Sequence, residues 1–337
     1  MKTVALGRTG ERVSELALGC MLMGTRTEEA TAFTLLDRYR EDGGSFLDTA
    51  DCYAWWESRD SFGGESESLL GRWFARTGSR DDVFLATKGS ARLASLDGVW
   101  GDGPGPIPDA ATRIGYEGAG ADTLRRALDA SLRRLGTDHV DLYYVHVDDR
   151  ATPLEETLEA LAGLVAAGKT RYIGWSNVRT WRLERIRALC ERHGWPAPVA
   201  LQQQHSYLRR RAGLDQASIV DGEQLDHLRA HDDLTLVAYS PVLKGAYDDP
   251  ARRSGTPTME AYEGPDATAR FAAVDEVARE TGATPGQVVL AWLLRQDDPG
   301  LVPLVGPRTY EQYLSAAAAV ELRLTAEQVA RLDAAGA

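Results

Sequence analysis

Asp48 and Tyr53 stand five residues apart in Phe46-Leu47-Asp48-Thr49-Ala50-Asp51-Cys52-Tyr53, a stretch that follows the turn Gly43-Gly44. A carboxylate and a phenol placed where a short apolar run surfaces into a loop can face one pocket. Two further runs end in the same way: Val83-Phe84-Leu85-Ala86-Thr87 leads to Lys88, and Val140-Asp141-Leu142-Tyr143-Tyr144-Val145 leads to His146. Singly each polar residue has a structural reading: a turn cap, a solvated cation, a satisfied core histidine. Together, Asp, Tyr, Lys and His suit proton transfer to or from an oxygen. Tyrosine is a weak acid with an ordinary pKa of about 10. An ammonium about 4 Å away contributes on the order of 4 kcal/mol at an effective dielectric of 20, enough to lower that pKa by up to about three pH units. Burial opposes this, so the expectation is a smaller net fall for Tyr53 beside Lys88. Asp48 then serves as the counter-ion of Lys88, and His146 hydrogen-bonds the substrate oxygen and orients it.

The elements that must position these residues repeat one theme. A hairpin is expected over 2–14 around Gly7 to Gly10, followed by the apolar run Leu16 to Gly19. Helical periodicity over about 27–41, 65–76, 121–135, 180–194 and 267–281 alternates with short apolar runs, with a weaker helix over 222–230. Thr152-Pro153-Leu154-Glu155 and Thr284-Pro285-Gly286-Gln287 read as helix starts with a Thr cap, and Thr325 caps the last helix. Eight strand-then-helix units result, an α/β pattern that implies a parallel sheet closed into a (β/α)8 TIM barrel, with a doubly wound open sheet as the alternative. The whole chain, 1–337, reads as a single barrel domain. Connections over 89–119, 204–221 and 240–266 are long and each follows a strand, which puts them on the barrel face that carries active sites. Gly101-Asp102-Gly103-Pro104-Gly105-Pro106 follows no strand and reads as a flexible lid segment, not a phosphate loop.

Composition narrows the partners. Lys and Arg total 38 against 50 Asp and Glu, a balance of −12 that argues against nucleic acid or an anionic membrane surface. The three cysteines, Cys20, Cys52 and Cys190, form no C-x-x-C pair, so neither a disulfide framework nor a zinc site is expected and the reducing cytoplasm is the default. Gly7 and Arg8 interrupt the N-terminus before a signal core forms, and no run reaches the length of a membrane span. H-E-x-x-H, G-x-S-x-G and P-loop patterns are lacking, so metal hydrolysis, serine hydrolysis and ATP use find no support, and no metal is expected.

The other strand ends suit a planar cofactor with phosphates. Asn177 and Gln202 are placed to bind a carboxamide, Tyr239 to stack on a flat ring, and Gly306 with Arg308 to hold a phosphate at a helix start. Taken in order, Asp48-Thr49-Ala50-x-x-Tyr53, Gly64-Glu65-Ser66-Glu67, Ala86-Thr87-Lys88, Asp141-Leu142-Tyr143-Tyr144-x-His146, Ile173-Gly174-x-Ser176-Asn177, Ala238-Tyr239-Ser240-Pro241 and Pro303-x-x-Gly306-x-Arg308 resemble the aldo-keto reductase superfamily over nearly the whole chain. The resemblance implies an NADPH-dependent oxidoreductase that reduces an aldehyde or ketone to an alcohol, or runs the reverse oxidation with NADP+. It also implies the tetrad Asp48, Tyr53, Lys88 and His146, with Tyr53 as general acid. By the same resemblance Ser176 joins Asn177 and Gln202 at the carboxamide site, Ser240, Leu243 and Gly245 cover the cofactor pyrophosphate, and Arg308 contacts its 2′-phosphate, which favours NADPH over NADH. Two positions depart from the pattern: Gln312 replaces a second basic residue, and Ala316 replaces an adenine-contacting Asn. Trp55, Trp56, Trp100, His205 and Tyr207 lie on rim loops and could wall a sugar-like or polyketide-like carbonyl substrate. A redox-sensing or regulatory nicotinamide-binding subunit is the alternative reading, and a barrel isomerase or lyase without nicotinamide a third. Oligomeric state is left open.

Overall fold

The computed structural model describes residues 1–103 and 105–336. Strands β1 (Thr3–Ala5) and β2 (Arg12–Ser14) pair antiparallel as the expected hairpin. Its turn presses against the barrel at Gly7, whose φ is 51° and where a Cβ would meet the Asp233 carbonyl oxygen at 2.2 Å. The Gly7 N–H donates to Thr235 Oγ1 at 2.7 Å, at the start of a barrel strand. Leu6 and Val13 join Phe46, Phe84, Leu142 and Val237 in one buried cluster, so the hairpin plugs the end of the barrel where the strands begin. That leaves the opposite end, where the strands finish, for a ligand.

Among the described residues eight parallel strands close the barrel. They are β3 (Ala17–Gly19), β4 (Phe46–Asp48), β5 (Phe84–Gly89), β6 (Val140–Val145), β7 (Thr170–Ser176), β8 (Ala200–Gln204), β9 (Thr235–Tyr239) and β10 (Leu301–Val305). Each neighbours the next in sequence, and β10 closes against β3. Around them run α1 (Glu29–Glu41), α2 (Glu65–Thr77), α3 (Ala110–Ile114), α4 (Ala121–Leu135), α5 (Leu154–Ala166), α6 (Thr180–His193), α7 (Gly222–Ala230), α8 (Pro257–Glu260), α9 (Pro265–Thr281), α10 (Pro285–Leu293), α11 (Tyr310–Glu321) and α12 (Ala326–Ala334). The closed barrel excludes the open-sheet alternative. Helix burial follows the helical period: α4 buries Leu124, Ala127, Leu128, Ser131, Leu132 and Leu135 and stops at Gly136 in the left-handed region. Thr284 and Thr325 form complete capping boxes with Gln287 and Gln328. Thr152 does not cap α5: the cap position falls one residue later, on Pro153, and the Thr152 hydroxyl instead donates to Asp149 Oδ2 at 2.6 Å. Among the described residues no helix is long and apolar enough to cross a membrane.

The three long connections follow β5, β8 and β9, as expected. The first is more built than a bare strap. It contains α3 and its own apolar cluster of Leu93, Val99 and Ala110, packed against Trp55 and Trp100. Arg92, in the same segment, donates to the carbonyl oxygens of Asp51 and Phe62 at 3.3 and 3.2 Å. Within the expected lid segment Gly101 to Pro106, Pro104 lies outside the described residues.

Two buried acids lie behind this face. Glu67 on α2 is fully buried and accepts from Thr87 Oγ1 at 2.6 Å and from Arg134 Nε at 2.7 Å, tying α2 to α4 and β5. Asp51 is equally buried, yet neither carboxylate oxygen has a hydrogen-bond partner among the described residues. Burial first, then the Glu67 charge, pushes its carboxyl up to about 8, against the pull of Arg92 and Arg134. Arg134→Ala leaves the Glu67 charge buried without its cation, so we expect a loss of about 3 kcal/mol in chemical denaturation. Asp51 is protonated in the native state up to about 8 but ionises near its ordinary value of about 3.9 when unfolded. Its raised pKa therefore gives stability that is complete below the unfolded value and lost as pH rises through the folded one. Asp51→Asn removes that loss, so its melting temperature should exceed that of the parent by a margin that grows from pH 5 to pH 8; a margin independent of pH would contradict the assignment.

Candidate active site

Strand register decides which side chains converge. Asp48 pairs with Ala86, so Lys88 lies two residues further along β5 on the same face. Lys88 pairs with Tyr144, and His146 follows two residues later. Ser176 pairs with Gln202, Gln202 with Val237, and Tyr239 stands two beyond. Because side chains alternate along a strand, this shared parity turns all six toward the barrel axis, above the interior layer of Phe46, Ala86, Leu142 and Tyr144. Tyr144 forms the floor. Its ring fills the space opposite Gly174, where a Cβ would meet it at 2.6 Å.

Lys88 is fully buried, and each of its three donors has an acceptor: Asp48 Oδ1 at 2.5 Å, Thr49 O at 2.7 Å and Tyr53 Oη at 3.2 Å. Asp48 Oδ2 accepts from Gln202 Nε2 at 2.8 Å. The expected fall in the Tyr53 pKa is not found. Burial chiefly, and then the Asp48 charge, holds the phenol well above its ordinary range. Asp48 touches the same ammonium and cancels much of its field, so the desolvation of a phenolate wins. His146 packs edge-on to Tyr53, with ring centroids 5.5 Å apart. Burial first, then the Lys88 charge, lowers its pKa well below the usual imidazole value, so the ring is neutral.

The candidate cofactor residues form a second, adjoining network. Asn177 Nδ2 donates to His146 O at 2.7 Å and to Ser176 Oγ at 3.1 Å, while Tyr239 Oη donates to Asn177 Oδ1 at 2.9 Å. Asn177 adopts φ 53°, and its N–H donates to Gln203 Oε1 at 2.6 Å. Past β9, Ser240, Leu243, Lys244 and Gly245 all take positive φ, a sharp backbone curl on the rim. Gly306 and Arg308 are exposed at the start of α11, where the Arg308 N–H donates to Gln312 Oε1 at 2.8 Å.

The aromatic residues divide. Trp56 stands edge-on to Tyr53 at 6.2 Å and to Trp55 at 5.5 Å, and Trp55 and Trp100 are half-buried against the 89–119 segment. His205 is half-buried after β8, its N–H donating to Tyr239 O at 3.3 Å. Tyr207 does not line the mouth. It is 1% exposed, its hydroxyl donates to Leu332 O in α12 at 2.6 Å, and its ring packs on Trp292. A position in a loop sets no side-chain direction, which is why the sequence misplaces it. Sequence reasoning also gives no role to Cys52, whose Sγ lies 3.5 Å from His146 Nδ1. Gln203 is a second omission: it is fully buried, and its Nε2 donates to Val178 O at 2.9 Å and Ala217 O at 2.7 Å. Both have a legible signal, Cys52 as the neighbour of Tyr53 and Gln203 as a polar residue on the outward parity of β8.

The comparisons with known proteins agree with this geometry. Residues 15–337 match the family model described as Aldo/keto reductase family. The chain is 35% identical over 340 residues to the uncharacterized oxidoreductase YrpG of Bacillus subtilis, covering 99% of this chain and 95% of that protein. It is 32% identical to norsolorinic acid reductase stcV of Emericella nidulans, over 96% of this chain and 78% of the relative. Among solved structures, it is similar to the thermostable aldo-keto reductase Tm1743 bound to the inhibitor epalrestat, with TM-score 0.70, 27% identity and 99% of both chains covered. With a closed parallel barrel and polar strand ends gathered on its open face, the chain belongs to the aldo/keto reductase family of oxidoreductases, which use nicotinamide cofactors.

Proposed function

We propose that the protein is an NADPH-dependent carbonyl reductase in which Tyr53 is the general acid. The observation that carries this reading is the buried Lys88 ammonium, shared between Asp48, Thr49 O and the Tyr53 hydroxyl at the open end of the barrel. Donor and acceptor accounting supports a carboxamide site. Both Asn177 Nδ2 hydrogens are spent on His146 O and Ser176 Oγ, and one of the two on Gln202 Nε2 goes to Asp48. Amide oxygens of Asn177 and Gln202 can therefore take the carboxamide NH2, and the Ser176 hydroxyl proton can take its C=O. Tyr239 offers its ring face, the curl at Ser240, Leu243 and Gly245 would cover the pyrophosphate, and Gly306, Arg308 and Gln312 would hold the adenosine phosphate.

When bound, the reduced nicotinamide supplies hydride to the carbonyl carbon. Tyr53 rests protonated because burial disfavours its anion. As negative charge develops on the carbonyl oxygen, that oxygen becomes more basic than a phenolate, so the proton passes from Tyr53 Oη to it. Lys88, 3.2 Å away, stabilises the phenolate left behind. The Cys52 thiol, kept protonated by burial, donates to His146 Nδ1 and leaves Nε2–H to orient the substrate oxygen. Trp55 and Trp56, with Trp100 and His205 nearby, form an apolar wall suited to a flat substrate. A relative named for reducing norsolorinic acid supports a ketone of polyketide-like character. Three buried free cysteines and the net charge of −12 fit a reducing cytoplasm and a small-molecule partner.

Tyr53→Phe should lower kcat by about 10²- to 10⁴-fold, the worth of a general acid, while NADPH still quenches tryptophan fluorescence with near-parental affinity. Undiminished turnover would sink the assignment. Arg308→Ala should reduce the preference for NADPH over NADH by about ten- to a hundredfold, the worth of one charge-assisted contact. An unchanged ratio of kcat/KM for the two cofactors would show that Arg308 does not read the 2′-phosphate.

A further inference from the structure

A second constellation lies on the outer helices, away from the barrel mouth. His227 stands in the last turn of α7 and His231 is the residue that ends it, and Glu184 on α6 reaches toward both rings. His227 Nε2 is 2.9 Å from Glu184 Oε2, and His231 Nε2 is 4.0 Å from the same oxygen. The two rings lie nearly parallel, with centroids 4.2 Å apart. One nitrogen from each ring and the carboxylate oxygen all fall within 4.8 Å of one another. Ligands 2.0–2.1 Å from a tetrahedral cation sit about 3.3 Å apart, so a small adjustment of two partly exposed side chains closes the set.

The hydrogen bonds around the cluster favour a cation over a simple ion pair. His231 Nδ1 lies 2.7 Å from the His227 carbonyl oxygen, which can only accept, so Nδ1 carries the hydrogen. In the neutral ring that leaves the Nε2 lone pair turned toward Glu184, where it has no donor to meet. Fixing a histidine tautomer through a backbone carbonyl is how metal-ligating imidazoles are commonly held. On the other ring, His227 Nδ1 is buried without a partner among the described residues, so its hydrogen bond to Glu184 leaves half the ring's polarity unused. The nearby Arg187 would repel a cation, but Asp233 occupies its guanidinium at 3.0 and 3.1 Å.

We propose that Glu184, His227 and His231 form a binding site for a divalent transition cation of the Zn2+ type, with water as the fourth ligand, that staples α6 to α7. Two imidazoles and one carboxylate suit Zn2+ and do not suit Mg2+ or Ca2+, which take oxygen ligands. On binding, the His227 hydrogen moves from Nε2 to Nδ1, so the ring stays neutral, and the freed Nε2 lone pair meets the cation that takes the proton's place beside Glu184. The helices it joins follow β7 and β8, the strands that carry Ser176, Asn177 and Gln202. The staple is structural, since none of its three residues belongs to the proposed catalytic machinery.

The experiment is a titration of tag-free, full-length protein with Zn2+ against a chromophoric zinc indicator, repeated with Co2+ and read by visible absorption. We expect one Zn2+ per chain, a Co2+ ligand-field band displaced by Zn2+, and a higher melting temperature that EDTA reverses. Glu184→Gln and His231→Ala should each weaken Zn2+ by at least about tenfold, since even outer-shell partners of a metal carry that much. Their carbonyl reductase activity without added metal should match the parent's, which also separates this site from the reading of the barrel mouth. Zn2+ uptake no tighter than that of the His227→Gln/His231→Gln double variant, or uptake untouched by Glu184→Gln and His231→Ala, would overturn the proposal.

Discussion

The buried ion pair of Lys88 and Asp48 is the constraint on which the site depends. Removing two charges from water costs several kcal/mol per ion, and only close geometry with saturated hydrogen bonding offsets it. At 2.5 Å the pair gains on the order of 7 kcal/mol at an effective dielectric of 20. The rest comes from saturation: all three ammonium hydrogens have acceptors, and both Asp48 oxygens have donors. One of those acceptors is the Tyr53 hydroxyl. The strain of burying a cation is thus relieved in part by the group on which the cation acts.

This pairing also explains why neither neighbour is charged. A lone ammonium beside Tyr53 would favour its anion. Paired with Asp48, the ammonium does not do so: burial comes first, and the nearer charge adds to it, Asp48 in raising the phenol and Lys88 in lowering the imidazole. Two neutral groups then border one fixed ion pair. Such a site offers hydrogen bonds to an oxygen at rest and stabilises negative charge only where it forms, which is the useful distinction for catalysis.

Much of this was legible because a period of two leaves no freedom. Once Phe46 and Phe84 point inward, Asp48 and Lys88 must as well, and β4 to β9 each place a polar residue just past the apolar core. What the sequence hid depends on distance or on competition. The sign of the Tyr53 shift turns on Asp48 reaching the same nitrogen, which no spacing reveals. Thr152 carries the signature of a helix cap, yet Asp149 captures its hydroxyl. Tyr207 looks like rim material until its ring is found beneath α10 and α12. The long 89–119 connection has too little periodicity to announce α3 or the small core around Val99.

That connection has a consequence for how the substrate wall is supported. Arg92 hydrogen-bonds the carbonyl oxygens of Asp51 and Phe62, and these flank the loop carrying Tyr53, Trp55 and Trp56. Trp55 in turn packs into the cluster built by Leu93 and Val99. Tyr53 and the neighbouring indoles therefore share one scaffold, with the Lys88 ion pair beneath and the 89–119 segment above. Lys88 fixes the tyrosine oxygen, while the segment fixes the indoles edge-on beside it. A change within the segment's small core would move the indoles first and the Tyr53 hydroxyl least, because only the hydroxyl is also tied to the buried charge.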